Sequence, residues 1–127
     1  MGAYSAMPIL VVEDNRTMVR IIRTLLKKIG FGNVDDAIDG SSALIRMTEK
    51  KYELIISDWN MDPLSGYELL QHVRADPRFS RVRFILTTAE SKPENVLAAK
   101  KAGASSYIIK PFTADVLKEK IDAAFLL

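Results

Sequence analysis

Asp58 closes the apolar run Leu54-Ile55-Ile56-Ser57, and the chain then passes through Trp59-Asn60-Met61-Asp62-Pro63-Leu64-Ser65-Gly66, a stretch punctuated by turn residues. A strand buried on both faces reads as such an unbroken run. Asp58 is therefore expected just past the carboxyl end of a buried strand, where ligands gather in open α/β sheets. On its own the residue could equally cap a turn. Other stretches repeat the arrangement. Pro8-Ile9-Leu10-Val11-Val12 ends at the adjacent carboxylates Glu13-Asp14, Phe84-Ile85-Leu86-Thr87 ends at Thr88, and Tyr107-Ile108-Ile109 ends at Lys110. In a parallel sheet these ends share one edge. If the first and third strands are neighbours, Glu13, Asp14 and Asp58 converge. Two carboxylates about 4 Å apart repel by roughly 4 kcal/mol at an effective dielectric near 20, so the trio needs a cation. Hard oxygen ligands with room for water suit Mg²⁺. Lys110 adds a fixed positive charge and Thr88 a hydroxyl donor. A nucleophilic carboxylate, a metal and two groups able to hold an oxyanion are the parts needed to accept a phosphoryl group.

The elements that must position these residues alternate along the chain. After the first strand, the spacing predicts a helix from about Arg16, with Met18, Ile22, Leu25, Leu26 and Ile29 on one face and Gly30 as its stop. Asn33 to Ile38 is a weaker, more polar strand, expected nearer an edge. Asp39-Gly40 turns into a helix over Ser42 to Lys50 with Ala43, Leu44 and Met47 inward. A third helix is expected over Tyr67 to Ala75, ended by Asp76-Pro77. Ser91-Lys92-Pro93-Glu94 has the form of a capping box opening a fourth helix that Gly103 closes. Thr113 caps a last helix in which Leu117, Ile121, Ala124 and Phe125 share a face. Five strands alternating with five helices predict a doubly wound α/β fold, a parallel sheet covered on both faces through right-handed crossovers.

Composition narrows the function classes. At 127 residues the chain is one domain with enough length for a real core. The net charge of +2 is small and the basic residues are scattered, so no nucleic-acid stripe is expected. Without cysteine there are no disulfides, thiolate metal sites or cysteine nucleophiles. No apolar run approaches a membrane span. No secretory signal is visible, and Ala6 stands where a myristoylation signal wants Ser or Thr, so the cytoplasm is the expected location.

Ser57-Asp58-Trp59-Asn60-Met61, Thr88-Ala89-Glu90, Ala102-Gly103-Ala104-Ser105-Ser106-Tyr107 and Lys110-Pro111-Phe112-Thr113-Ala114 together resemble the receiver domains of two-component response regulators, and within them the single-domain chemotaxis regulators. Phe31-Gly32-Asn33-Val34 and Arg74-Ala75-Asp76 belong to the same likeness, which spans residues 7–127. Residues 1–6 are then an extension expected to be disordered. The resemblance, not the spacing, implies a flavodoxin-like sheet of order 2-1-3-4-5 in a three-layer sandwich. It implies that Asp58 accepts phosphoryl from a phosphohistidine on a sensor histidine kinase. By the same resemblance Asp14 and Asp58 bind Mg²⁺ directly, with the Asn60 main-chain carbonyl, and Glu13 acts through water. Thr88 and Lys110 would contact phosphoryl oxygens, and Tyr107 would swing inward as Thr88 moves. Asn60 and Glu90 lie where receivers tune the lifetime of the acyl phosphate. The implied protein is a switch with slow self-dephosphorylation and not a turnover enzyme. Its implied partners are the kinase, a phosphatase and the flagellar motor switch. The chain departs from the usual pattern at Glu13 in place of Asp, at Asp62 where Pro is common, and at Ser65 before Gly66.

Other classes use similar parts. A phosphate sink or relay receiver would share the site without binding a motor. A flavodoxin-type flavin binder needs a hydroxyl- and glycine-rich loop after the first strand, where Glu13-Asp14-Asn15-Arg16 would repel a phosphate. A haloacid-dehalogenase-type Mg²⁺ phosphatase needs a second Asp two residues after the nucleophile, and that place holds Asn60. His72, the only histidine, sits mid-helix and is expected at the boundary between core and surface, not as a base or ligand. Lys92 and Lys120 read as solvated face charges, and Trp59 as a reporter of the site.

Overall fold

The structure is a computed structural model and describes residues 6–89 and 92–125. Ile9–Val12 forms β1 and Leu54–Asp58 forms β3, and every residue of both is buried. Their apolar runs lack alternation because helices cover both faces of the central strands. Val34–Ala37 (β2), Arg83–Thr88 (β4) and Ser106–Ile109 (β5) complete a parallel sheet of order β2-β1-β3-β4-β5. In β2 only Ala37 is buried, which fits its polar sequence and its edge place.

The crossovers are α1 (Arg16–Ile29), α2 (Gly40–Glu49), α3 (Gly66–Ala75) and α4 (Pro93–Ala102), with α5 (Ala114–Phe125) following β5. Strand side chains alternate between two cores. Leu10, Ile55, Phe84 and Leu86 meet the buried residues of α2, α3 and α4, while Ile9, Leu54, Ile56 and Ile85 meet those of α1 and α5. The predicted face of α1 holds, with Val19 buried in addition and Met18, Leu25 and Ile29 packed against the rim. Among the described residues no helix is long and apolar enough to cross a membrane.

Several ends differ from expectation because capping side chains set them. Asp39 is the N-cap of α2, its carboxylate accepting from Ser42 N at 2.8 Å, so that helix starts at Gly40 instead of Ser42. Ser65 caps α3 in a full capping box with Glu68, which moves that start to Gly66. The box expected from Ser91 to Glu94 is not the cap of α4. Lys92 is the N-cap without a side-chain capping bond, and Pro93 opens the helix. Ser91 itself lies outside the described residues, as do Glu90 and residues 1–5 of the expected extension. Ala6 is exposed, but its carbonyl accepts from Asn33 Nδ2 at 3.1 Å. The last strand ends at Ile109, one residue before Lys110, whose amide still reaches Thr88 O at 2.7 Å.

Candidate functional site

Because β1 and β3 are paired in register from Ile9↔Leu54 to Val12↔Ser57, the residues following them come together. One carboxylate oxygen each of Glu13, Asp14 and Asp58 lies within 4.8 Å of the others. Glu13 and Asp58 are buried and Asp14 is exposed, so the cluster opens to solvent on one side. Across it, Lys110 places Nζ 2.9 Å from Asp58 Oδ1 and 3.4 Å from Glu13 Oε1. The Asn15 amide also donates to Glu13 Oε2 at 3.2 Å. Sequence reasoning expected Glu13, Asp14, Asp58 and Lys110 to meet, and the fold brings all four together.

The electrostatics follow from burial and proximity. Burial first, then the Asp58 charge, raises the Glu13 pKa above the usual carboxylate range, against the counter-pull of Lys110. For Lys110 burial works against the charge, but the hydrogen bond and charge of Asp58, then Glu13, outweigh it and raise the pKa. Three carboxylates with a single ammonium leave an excess of negative charge in a partly desolvated cleft. Hard oxygen donors, one side open to water, fit a cation such as Mg²⁺. Asp14 and Asp58 supply donors that can face it directly, and the exposed Asn60 stands two residues past Asp58.

On the other sheet face, Trp59 packs against the core that holds α2, α3 and α4, as does Tyr107. Trp59 N donates to Thr87 O at 2.9 Å, and Gly66 N donates back to Trp59 O at 2.8 Å, closing the loop after Asp58. A Cβ on Gly66 would fall 2.0 Å from Asp58 O, so only glycine lets α3 start this close to the strand end. Asp62 is exposed and stands apart from the acidic cluster. Buried Thr88 ends β4 on the face of Leu86, and Tyr107 is half-buried. Tyr107, Ile109, Phe112, Val96, Val116 and Lys120 are among the residues lining a groove of about 710 Å³ formed by α4, β5 and α5. A second cleft, of about 610 Å³, opens at the opposite edge of the sheet where β3 and β4 begin, away from this chemistry.

Two features were not read from the sequence. Thr87 is the register partner of Asp58, and its fully buried hydroxyl has no hydrogen-bond partner among the described residues. Strand alternation could have placed it on the Asp58 face. The ring stack of Tyr67 on Trp59, at 5.1 Å between centroids, has no sequence signature. His72 is exposed on α3, further out than the core–surface boundary expected for it.

Comparison with known proteins agrees with this geometry. The chain is 44% identical over 119 residues to the chemotaxis protein CheY of Pseudomonas aeruginosa, covering 94% of this chain and 96% of that protein. It is 42% identical over 119 residues to the chemotaxis protein CheY-3 of Vibrio cholerae, covering 94% and 92%. A solved structure of Vibrio cholerae CheY4 superposes with a TM-score of 0.87 at 27% identity, covering 94% of this chain and 99% of that one. The receiver domain of the sensor histidine kinase PA1611 from Pseudomonas aeruginosa, with a magnesium ion coordinated in its active site cleft, gives 0.80 at 29% identity, covering 90% and 93%. The family described as the response regulator receiver domain matches residues 9–122. With the acidic cluster and Lys110 at the carboxyl edge of a 2-1-3-4-5 sheet, the chain belongs to the response regulator receiver domains of two-component signalling, in their CheY-type branch.

Proposed function

We propose that Asp58 accepts a phosphoryl group from a phosphohistidine of a sensor histidine kinase and that the phosphorylated chain signals by binding a flagellar motor switch protein. The observation that carries the reading is the Lys110 Nζ–Asp58 Oδ1 contact of 2.9 Å at the centre of the carboxylate cluster. An Asp58 oxygen attacks phosphorus in line, the P–N bond to the imidazole breaks, and its electron pair leaves with the ring nitrogen. Phosphoryl transfer asks little covalent chemistry of the protein beyond positioning and charge stabilisation. Lys110 is already beside the acceptor and follows the charge onto the phosphoryl oxygens, while the Thr88 hydroxyl donates to another oxygen. Bound Mg²⁺ would neutralise charge shared by Asp58 and the phosphoryl group. Asp14, Asp58 and the Asn60 carbonyl would hold it, with Glu13 acting through water. Asn60 and Glu90 would tune the lifetime of the acyl phosphate, which the chain hydrolyses slowly by itself and faster with a phosphatase. The setting is the cytoplasm, with neither nucleic acid nor membrane as a partner.

The motor reading is supported by the chemotaxis relatives and by the apolar groove beside Tyr107, where Val96, Ile109 and Val116 are exposed. A relay or phosphate-sink role is the second reading. It draws on the likeness to the receiver domain of a sensor histidine kinase. A small phosphodonor with Mg²⁺ is expected to add one phosphoryl group to the wild type and none to Asp58→Asn. Equal labelling of the variant would remove Asp58 from the role.

A further inference from the structure

We propose that Tyr67 is a positioning residue for Tyr107. By stacking on Trp59 it fixes the indole ring against which Tyr107 rests, so the start of α3, and not Thr88 alone, sets how Tyr107 responds to charge on Asp58. The last clause rests on the phosphoacceptor reading, and the first does not.

Three rings form a continuous ladder. Tyr67 and Trp59 are stacked with centroids 5.1 Å apart and planes 11° from parallel. Trp59 presents its ring to Tyr107 at 6.3 Å and 80°, an edge-to-face arrangement. Both geometries match the preferred arrangements of aromatic quadrupoles. The ladder crosses three elements, because Tyr67 is the second residue of α3, Trp59 directly follows β3, and Tyr107 lies in β5.

One end of the ladder is rigid. Ser65 and Glu68 lock the first turn of α3 through bonds of 3.1 and 2.9 Å. Gly66 N is tied to Trp59 O at 2.8 Å, and Gly66 lies against the Asp58 carbonyl too closely for any Cβ. Tyr67 is thus held on a backbone clamped to the acceptor strand. Trp59, one residue from Asp58, contacts both that fixed ring and Tyr107. Tyr107 in turn lines the groove of α4, β5 and α5. A displacement of the Asp58 segment reaches Tyr107 through Trp59 only if the indole cannot tilt freely, and Tyr67, stacked on one of its faces, restrains that tilt.

Trp59 is the only tryptophan, so its emission reads the ladder without background. The test compares wild type, Tyr67→Leu, Tyr67→Phe and Trp59→Leu in the full chain, without and with fluoroberyllate plus Mg²⁺. In the free protein, acrylamide quenching of Trp59 should rise about twofold in Tyr67→Leu and stay at the wild-type value in Tyr67→Phe, which keeps the stacking face. The Tyr107 ring protons should move in Tyr67→Leu toward their position in Trp59→Leu, and Tyr67→Phe should restore them. Half-buried Tyr67 tolerates these changes, and a thermal melt checks each fold. With fluoroberyllate, Tyr67→Leu should reduce the further Tyr107 shift about threefold although Asp58 still takes up the mimic. Tyr107 protons unmoved by Tyr67→Leu in the free protein would overturn the ladder itself. A full fluoroberyllate response in that variant would overturn its part in switching. Failure of the wild type to bind the mimic would strike the phosphoacceptor reading and leave the free-protein result standing.

Discussion

Lys110 bridges two carboxylates that would otherwise repel each other, at 2.9 Å from Asp58 and 3.4 Å from Glu13. The bridge is incomplete, since burial and Asp58 still push the Glu13 pKa upward. A group whose charged form is disfavoured in the fold costs stability at neutral pH. Glu13→Gln should therefore stabilise the cation-free protein by about 1 kcal/mol, a rise of a few degrees in the midpoint of a thermal melt in chelator. Mg²⁺ should raise the midpoint of the wild type more than that of the variant, because ligand binding to the folded state adds its own stability. A lower midpoint for Glu13→Gln in chelator would mean that its contacts with Lys110 and Asn15 outweigh the repulsion. Trp59 emission offers a separate check on the cation, for Trp59 directly follows Asp58. Addition of Mg²⁺ should change it in the wild type, and Asp14→Ala should weaken the titration about tenfold, since the cluster loses one of its three carboxylates. The carboxylates were legible in the sequence because each closes an apolar run. Thr87 and the Tyr67 stack were not, because register and ring orientation arise only once strands and loop are packed.

At the scale of elements, backbone proximity decides what the site tolerates. Gly66→Ala would drive a methyl group into the Asp58 carbonyl at 2.0 Å, with Ser57 Oγ 2.9 Å away. The nearer neighbour is backbone and the Ser57 side chain is buried, so the end of β3 must shift. The expected cost is about 3 kcal/mol in denaturant unfolding, together with weaker Mg²⁺ binding. The β2 edge carries a pH-dependent clamp. Tyr52 donates to Asp35 at 2.7 Å, and Lys50 reaches the same carboxylate at 2.9 Å. Burial, then the Asp35 hydrogen bond, pushes the Tyr52 pKa up to about 12 from an ordinary 10.0. The unfolded chain therefore loses this proton first. The associated stability is whole below pH 10 and is lost as the pH rises to about 12. Its size is on the order of 2–3 kcal/mol. Unfolding curves of Tyr52→Phe should lack that alkaline loss, and parallel decline of variant and wild type would remove Tyr52 as its source. Strand and helix types were readable from hydrophobic period alone. Helix starts were less so, because Asp39, Ser65 and Lys92 compete with neighbouring polar residues for the cap, and only the path of the incoming loop chooses among them.

For the whole molecule, the sheet separates the acidic cluster from the groove of α4, β5 and α5. Asp58, Glu13 and Lys110 gather at one strand edge, while Tyr107 belongs to the core face shared with α4 and borders the groove of α4, β5 and α5. The 2-1-3-4-5 order came from family likeness, since periodicity gives the elements but not which strands are neighbours. That order is what puts β5 at an edge, with Ile109 exposed and Lys100 and Lys120 among the groove's lining residues. An apolar groove bordered by lysines suits a short acidic-apolar segment, such as the end of a motor switch protein would have to present. On the proposed reading, phosphoryl oxygens on Asp58 would draw the Thr88 hydroxyl toward the site and free space behind it, and Tyr107 would fill that space and reshape the groove. A preference of a few kcal/mol for the inward state is enough to shift the population decisively. A switch-protein peptide should then bind about tenfold or more tightly with fluoroberyllate and Mg²⁺ than without. Thr88→Ala should shrink that ratio by several-fold while Asp58 still takes up the phosphoryl mimic, because the variant cuts the link and not the acceptor. Equal binding of the peptide in both states, or no binding at all, would turn the reading from motor regulator to phosphate sink. An unchanged ratio in Thr88→Ala would instead leave the motor role standing and move the coupling to the Tyr67–Trp59 side of Tyr107.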